Sequence, residues 1–115
     1  MSDIQIYHNP RCSKSRETLK LLQDKGITPV VVEYLKDVPS EDEIHQLIQL
    51  LGFSSARELM RTKEEEYKQQ NLASADEATL IRAMANTPKL IERPIVINGN
   101  QARIGRPPEQ VLEIL

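Results

Sequence analysis

The chain has one cysteine, one phenylalanine, no tryptophan and only four glycines in 115 residues. A single cysteine cannot close an internal disulfide, which fits a reducing cytoplasm. Once oxidised or covalently modified, it needs a thiol from another molecule to restore it. No apolar run approaches membrane-spanning length, and Met1-Ser2-Asp3 opens the chain without the basic region and apolar core of a signal peptide. A dominant charge is also lacking. The 15 basic and 17 acidic residues leave −2 at pH 7, which argues against broad affinity for nucleic acid or membrane surfaces. No glycine-rich nucleotide loop, internal repeat or low-complexity linker is present. What remains is 39% apolar and 28% charged, the profile of a soluble globular protein, in one domain with enough chain for a core.

The lone cysteine, Cys12, lies in the stretch His8-Asn9-Pro10-Arg11-Cys12-Ser13-Lys14-Ser15-Arg16. A strand-like stretch (Ile4 to Tyr7) precedes it and a helix-like one (Arg16 to Lys25) follows. A thiol in a strand-to-helix turn lies near first-turn N–H groups, whose dipole favours an anion. An unperturbed thiol is about 3% thiolate at pH 7, whereas helix N-termini and neighbouring cations lower its pKa far enough to make thiolate a major species. Arg11, Lys14 and Arg16 supply cations, with His8 four positions upstream. The competing reading is a small buried hydrophobe. Six of the nine residues in the stretch are Arg, Lys, Ser or His and none is aliphatic, which is poor material for a core. Cys12 reads as a nucleophile.

Ile4 and Ile6 alternate with Gln5 and Tyr7 as a short strand does, and Asn9-Pro10 marks a turn. A helix opening at Cys12 or Ser13 carries Leu19 and Leu22 inward and stops at Gly26. Pro29 to Tyr34, rich in β-branched residues, predicts a buried strand parallel to the first, completing a βαβ unit. Ser40 and Glu43 form a capping box ahead of Ile44, Leu47, Ile48 and Leu51, which occupy one helix face until Gly52. Ser55 with Glu58, and Ser74 with Glu77, repeat that signal. The charged run Thr62 to Gln70 predicts a solvated helix face or loop, and His45 ordinary surface. Pro94 to Ile97 and Ala102 to Ile104 flank Asn98-Gly99, a strong hairpin signal. Gly105 to Glu109 leads into a last helix with proline in its first turn, facing Val111, Leu112 and Leu115 inward. The expected fold is α/β: a thioredoxin-like βαβ-ββα mixed four-stranded sheet, with its core in residues 1–38 and 89–115 and a helical insertion at 39–88.

Three arginines stand at element ends: Arg61, Arg93 before Pro94, and Arg106 before Pro107. A guanidinium offers a planar fork of donors suited to tetrahedral oxyanions. Whether the three converge on Cys12 or are surface charges depends on the fold. Other chemistries of Cys12 fit less well. A phosphatase loop needs arginine six residues on, where Thr18 stands. A metal site needs more ligands than His8 and Cys12. A dithiol oxidoreductase needs a second cysteine where Ser15 stands; its hydroxyl can donate to a thiolate but cannot resolve a disulfide.

YHNPRCSKSR near the start, LMR at 59–61, ERPIV at 92–96 and RIGRPPE at 103–109 together resemble the glutaredoxin-dependent arsenate reductases of the thioredoxin-like superfamily, over essentially the whole chain. The resemblance implies that Cys12 attacks arsenate while Arg61, Arg93 and Arg106 hold the oxyanion and the covalent intermediate. It implies that His8 and Ser15 help keep the thiolate ionised, that Pro94 is cis, and that glutathione as co-substrate and glutaredoxin as partner supply electrons before arsenite leaves. The chain is expected to be a cytoplasmic monomer with no bound cofactor or metal. This chain ends at Leu115 without the C-terminal tail of longer relatives. Two alternatives differ in class. Spx-type regulators share the fold and bind RNA polymerase, but commonly carry a Cys-x-x-Cys switch that Ser15 breaks here. A glutathione-dependent thiol transferase would act on protein disulfides with no oxyanion present.

Overall fold

The computed structural model describes residues 4–115, so the chain's opening Met1-Ser2-Asp3 lies outside the described residues. Two compact units emerge. One takes the chain up to Asp37 and from Arg93 onward; the other is Val38–Glu92.

The first unit holds a mixed sheet. Strands β1 (Ile4–Tyr7), β2 (Val30–Val32), β3 (Ile95–Asn98) and β4 (Gln101–Ile104) lie in the order β2-β1-β3-β4. β1 pairs parallel with β2, in register Ile6↔Val31, and antiparallel with β3, in register Tyr7↔Ile95. Between β1 and β2 runs helix α1 (Ser13–Asp24), capped by Cys12 and stopped at Gly26, whose left-handed φ of 79° suits glycine. Leu22 of α1 packs with Ile6, Val96, Val111 and Ile114 as the core, while Leu19 is only partly buried against it. Strand alternation turns Tyr7 to the opposite face, where its ring stacks on that of Tyr34 with centroids 6.5 Å apart.

Three details depart from the sequence reading. The valines of β2 are not buried: Val30 and Val31 are 55% and 45% exposed. The order places β2 at the sheet edge, and β-branched residues suit an edge strand as well as a covered one. The hairpin forms, but Asn98 pairs with Gln101, so the two turn residues are Gly99 and Asn100. Only Gly99 has a positive φ, 63°, as a hairpin with glycine first in its turn requires. The last segment, Pro108–Ile114, is a 3-10 helix rather than an α-helix. Its repeat of three residues per turn buries Val111 and Ile114 and leaves Leu112 and Leu115 exposed. Asn98 Nδ2 donates to the Ile114 carbonyl at 2.6 Å, fastening this segment to the sheet.

The second unit is helical: α2 (Glu41–Leu51), α3 (Glu65–Gln69) and α4 (Glu77–Asn86). The Ser40–Glu43 capping box forms with both of its hydrogen bonds, and Gly52 ends α2 in the left-handed region. Ile44, Leu47, Ile48 and Leu51 of α2 and Leu80, Ala83 and Met84 of α4 are buried, and the two helices pack together. The other two capping signals resolve differently. Ser55 caps only a short 3-10 helix, Ala56–Leu59. Asp76, not Ser74, caps α4 by accepting from Thr79 N at 2.9 Å. Glu77 instead accepts from Ser55 Oγ and Ala56 N at 2.6 and 2.7 Å, capping the neighbouring segment. Within the charged run Tyr67 is buried and receives Arg57 Nε at 3.1 Å. A single antiparallel bridge, Met60↔Ile91, had no sequence signal. It sets Arg61 close to Glu92 in this unit.

A thiolate-centred candidate active site

Strand register assembles the site. Tyr7 at the end of β1 faces Ile95 at the start of β3, and Ile95 faces Ile104 at the end of β4. The loop after β1, the turn before β3 and the turn after β4 therefore share one end of the sheet. These carry Cys12, Arg93 and Arg106 respectively. Gly105 locks the last two turns together: its N–H donates to the Pro94 carbonyl at 2.9 Å. A Cβ on Gly105 would stand 2.5 Å from Thr18 Oγ1 and 2.9 Å from Pro94 Cγ, so only glycine allows this approach. Arg106 Nε in turn donates to the Arg93 carbonyl at 2.8 Å. Both arginines precede cis prolines, Pro94 and Pro107. The first agrees with the resemblance; the second was not anticipated.

The cysteine loop is held by its own polar groups. Asn9 accepts from Cys12 N through its carbonyl at 3.0 Å and from Arg11 N through Oδ1 at 3.0 Å. Asn9 N donates to Ser15 Oγ at 3.0 Å, and Ser15 Oγ lies 2.6 Å from His8 Nδ1. Burial, opposed by Glu33 and assisted by Arg16, holds the His8 pKa below its ordinary value, so the ring is neutral at pH 7. With Oγ already accepting from Asn9, we assign the shared proton to the hydroxyl, which donates to Nδ1 and leaves Nε2 protonated. His8 and Ser15 thus pair with each other. The Ser15 hydroxyl, however, bonds to His8 and Asn9 rather than to the sulfur.

Cys12 is 9% exposed yet outside the aliphatic core cluster. Burial pushes its thiol pKa up, but the Ser15 amide, Arg93, the Lys14 amide and Arg106 together outweigh this, and the net displacement is downward. The two amides act as backbone N–H donors toward the sulfur, in a looser geometry than a closed side-chain cap. Arg106 Nη2 reaches Sγ at 3.7 Å. The cations adjacent in sequence are engaged elsewhere: Arg16 Nη1 donates to the Pro10 carbonyl at 2.9 Å, and Lys14 lies 3.7 Å from Glu17. The charges acting on the sulfur come instead from the distant β3 and β4 turns. Arg93 holds Nε and Nη1 buried with no hydrogen-bond partner. A buried donor pair of this kind is costly unless a ligand meets it. Arg61 belongs to the helical unit, where Glu64 and Glu92 pair with its guanidinium.

A thiol of lowered pKa at a helix mouth, with the Arg106 guanidinium in reach and Arg93 acting on it through its charge, on a β2-β1-β3-β4 sheet, has the arrangement of a thioredoxin-like thiol protein. The match to known proteins is correspondingly direct. The chain belongs to the ArsC family, whose model matches residues 7–114. It is 54% identical over 112 residues to a Haemophilus influenzae protein named arsenate reductase, covering 96% of this chain and 97% of the relative. It is 58% identical over 114 residues to YfgD, an uncharacterised Escherichia coli K12 protein, covering 97% and 96%. The solved structure of an arsenate reductase from Vibrio cholerae superposes with TM-score 0.96 at 57% identity, covering 97% of each chain. Among the described residues no helix is long and apolar enough to cross a membrane.

Proposed function

We propose that the protein is a cytoplasmic, monomeric arsenate reductase that uses the Cys12 thiolate as nucleophile and draws electrons from glutathione and glutaredoxin. The observation that carries this is that Arg93 Nε and Nη1 are buried without partners beside a thiol whose pKa Arg93 lowers. A tetrahedral oxyanion supplies acceptors of the kind these nitrogens lack. Arg106, already on the sulfur, offsets charge on the oxygens as the bond forms. Arg61 is assigned to the same oxyanion on the family resemblance.

The steps balance as follows. Cys12 sulfur displaces one arsenate oxygen, which leaves as water, giving a thiol–As(V) adduct. Glutathione displaces a second oxygen as water, giving arsenic bonded to both sulfurs. A glutaredoxin thiolate attacks the glutathione sulfur; the S–As bond breaks with its electron pair left on arsenic, now As(III), and a glutaredoxin–glutathione disulfide forms. Water then releases arsenite and regenerates the Cys12 thiol. A protein with one cysteine has to borrow both reducing thiols in this way.

The test is mass spectrometry of Cys12 after incubation with arsenate and glutathione, with phosphate as the parallel control. An arsenic-containing adduct is expected with arsenate only, and none in Cys12→Ser. Arg93→Ala should weaken arsenate use. Absence of arsenate turnover with the complete glutathione and glutaredoxin system overturns the assignment.

A further inference from the structure

Among the described residues, one cavity borders the cysteine loop and another the start of α1 and the turn after β4, and their charges differ in sign. The larger, about 370 Å³, is lined by Lys14, Glu17, Leu21, Pro107, Pro108 and Glu109. Its one cation is already 3.7 Å from Glu17, and Glu109 leaves it net negative. The smaller, about 220 Å³, is lined by His8, Asn9, Pro10, Arg11, Glu33, Leu35 and Lys36. With His8 neutral, it carries two cations against one carboxylate. Glu33 and Lys36 lie 3.8 Å apart in a half-open pair, loose enough for a ligand to divide. Leu35, 42% exposed, adds an apolar wall. Asn9, Pro10 and Arg11 connect this cavity to Cys12 through the hydrogen bond from Cys12 N to Asn9 O.

We propose that the smaller cavity binds the co-substrate thiol peptide by its γ-glutamyl end, an inference that rests on the function proposed above. That end is an amino-acid zwitterion. Its ammonium is met by Glu33 and its carboxylate by Arg11 and Lys36, while the aliphatic side chain lies along Leu35. A cavity of about 220 Å³ is smaller than a drug-sized site and holds one end of a tripeptide, leaving the remainder in solvent. The peptide carries one net negative charge at pH 7, which favours the net-positive cavity over the net-negative one.

The test uses S-methylglutathione, which has no free thiol and reports binding without turnover. Titrated into the whole protein, it should shift the backbone amide resonances of Asn9, Arg11 and residues 33–36. Lys36→Glu should weaken binding about tenfold, the scale of one charge-assisted contact. S-methyl-cysteinylglycine, which lacks the γ-glutamyl group, should bind at least about tenfold more weakly than the tripeptide by the same reasoning. Equal binding by wild type and Lys36→Glu, equal binding of the two peptides, shifts confined to Lys14 and Glu109, or no shift at millimolar peptide would each overturn the proposal. Binding at the expected residues by a protein that turns over no arsenate would instead remove the function proposed above.

Discussion

Replacing Gly105 by alanine should damage both the fold and the reactivity of Cys12. The added Cβ would stand 2.5 Å from Thr18 Oγ1, 2.9 Å from Pro94 Cγ and 3.2 Å from Thr18 Cγ2. Thr18 is fully buried, and its hydroxyl donates to the Lys14 carbonyl at 2.8 Å, so it cannot yield freely. Such overpacking costs about 1–3 kcal/mol. The strain is relieved by moving the turn that carries Arg106, whose Nη2 lies 3.7 Å from Cys12 Sγ. At an effective dielectric of about 20, unit charges at that separation attract by about 4.5 kcal/mol, falling to about 3.5 when they are about 1 Å farther apart. The difference corresponds to about 0.7 in pKa, an upper figure because Arg106 is exposed and solvent screens it. Urea denaturation should show the loss of stability, and the pH dependence of iodoacetamide alkylation should show the Cys12 pKa rising toward its ordinary value. A Gly105→Ala protein with unchanged midpoint and unchanged alkylation profile would refute the claim that this contact sets the Arg106 turn.

Because the folded Cys12 pKa is depressed, ionisation stabilises the native state fully above the unfolded thiol value, near 8.5. That contribution is lost as pH falls through the folded value. Unfolding free energy should therefore climb with pH toward 8.5 in wild type and climb less in Cys12→Ser. His8 is likewise depressed by burial, so its contribution is present above about 6.5 and lost as pH falls through its folded value; NMR titration of its ring should give a pKa below that figure. In the last segment, Ile114→Ala should cost about 2–5 kcal/mol and Leu112→Ala less than about 0.5, since Ile114 is 5% and Leu112 38% exposed. Equal losses by chemical denaturation would contradict the 3-10 register. Asp76→Ala should lose stability with its cap, while Ser74→Ala should change little by urea denaturation; the reverse result would move the start of α4.

Features governed by neighbours in sequence were the ones legible before the fold. The Ser40–Glu43 box and its Gly52 stop form within one helix, so residue types and spacing suffice. The β1-α1-β2 order and the hairpin follow from periodicity and turn residues in the same way. Misreadings fall where remote packing decides. Val30 to Val32 form a strand, but whether anything covers it depends on sheet order. Ser74 and Glu77 have capping spacing, yet Glu77 finds better donors at Ser55 and Ala56, 22 and 21 positions away. The final segment adopts 3-10 geometry, so Val111 stays inward, Ile114 joins it, and Leu112 and Leu115 turn outward. The motif pattern named Arg93 and Arg106, but their approach to Cys12 is a product of β1–β3 and β3–β4 register.

That dependence on register has a chemical consequence. Had Arg11, Lys14 and Arg16 activated the thiol, an unfolded or nascent chain would retain much of the effect, because those charges stay close along the sequence. Instead Arg16 and Lys14 are engaged by Pro10 and Glu17, and the depression of the Cys12 pKa comes from helix amides and from residues 81 and 94 positions downstream. The amides act only when α1 is wound, and the arginines only when β1, β3 and β4 are paired. Unfolding therefore returns Cys12 to an ordinary thiol at the same moment that it exposes it. The thiolate fraction then falls toward the few per cent of an unperturbed thiol at neutral pH, so the raised ionisation of Cys12 belongs to the folded state alone.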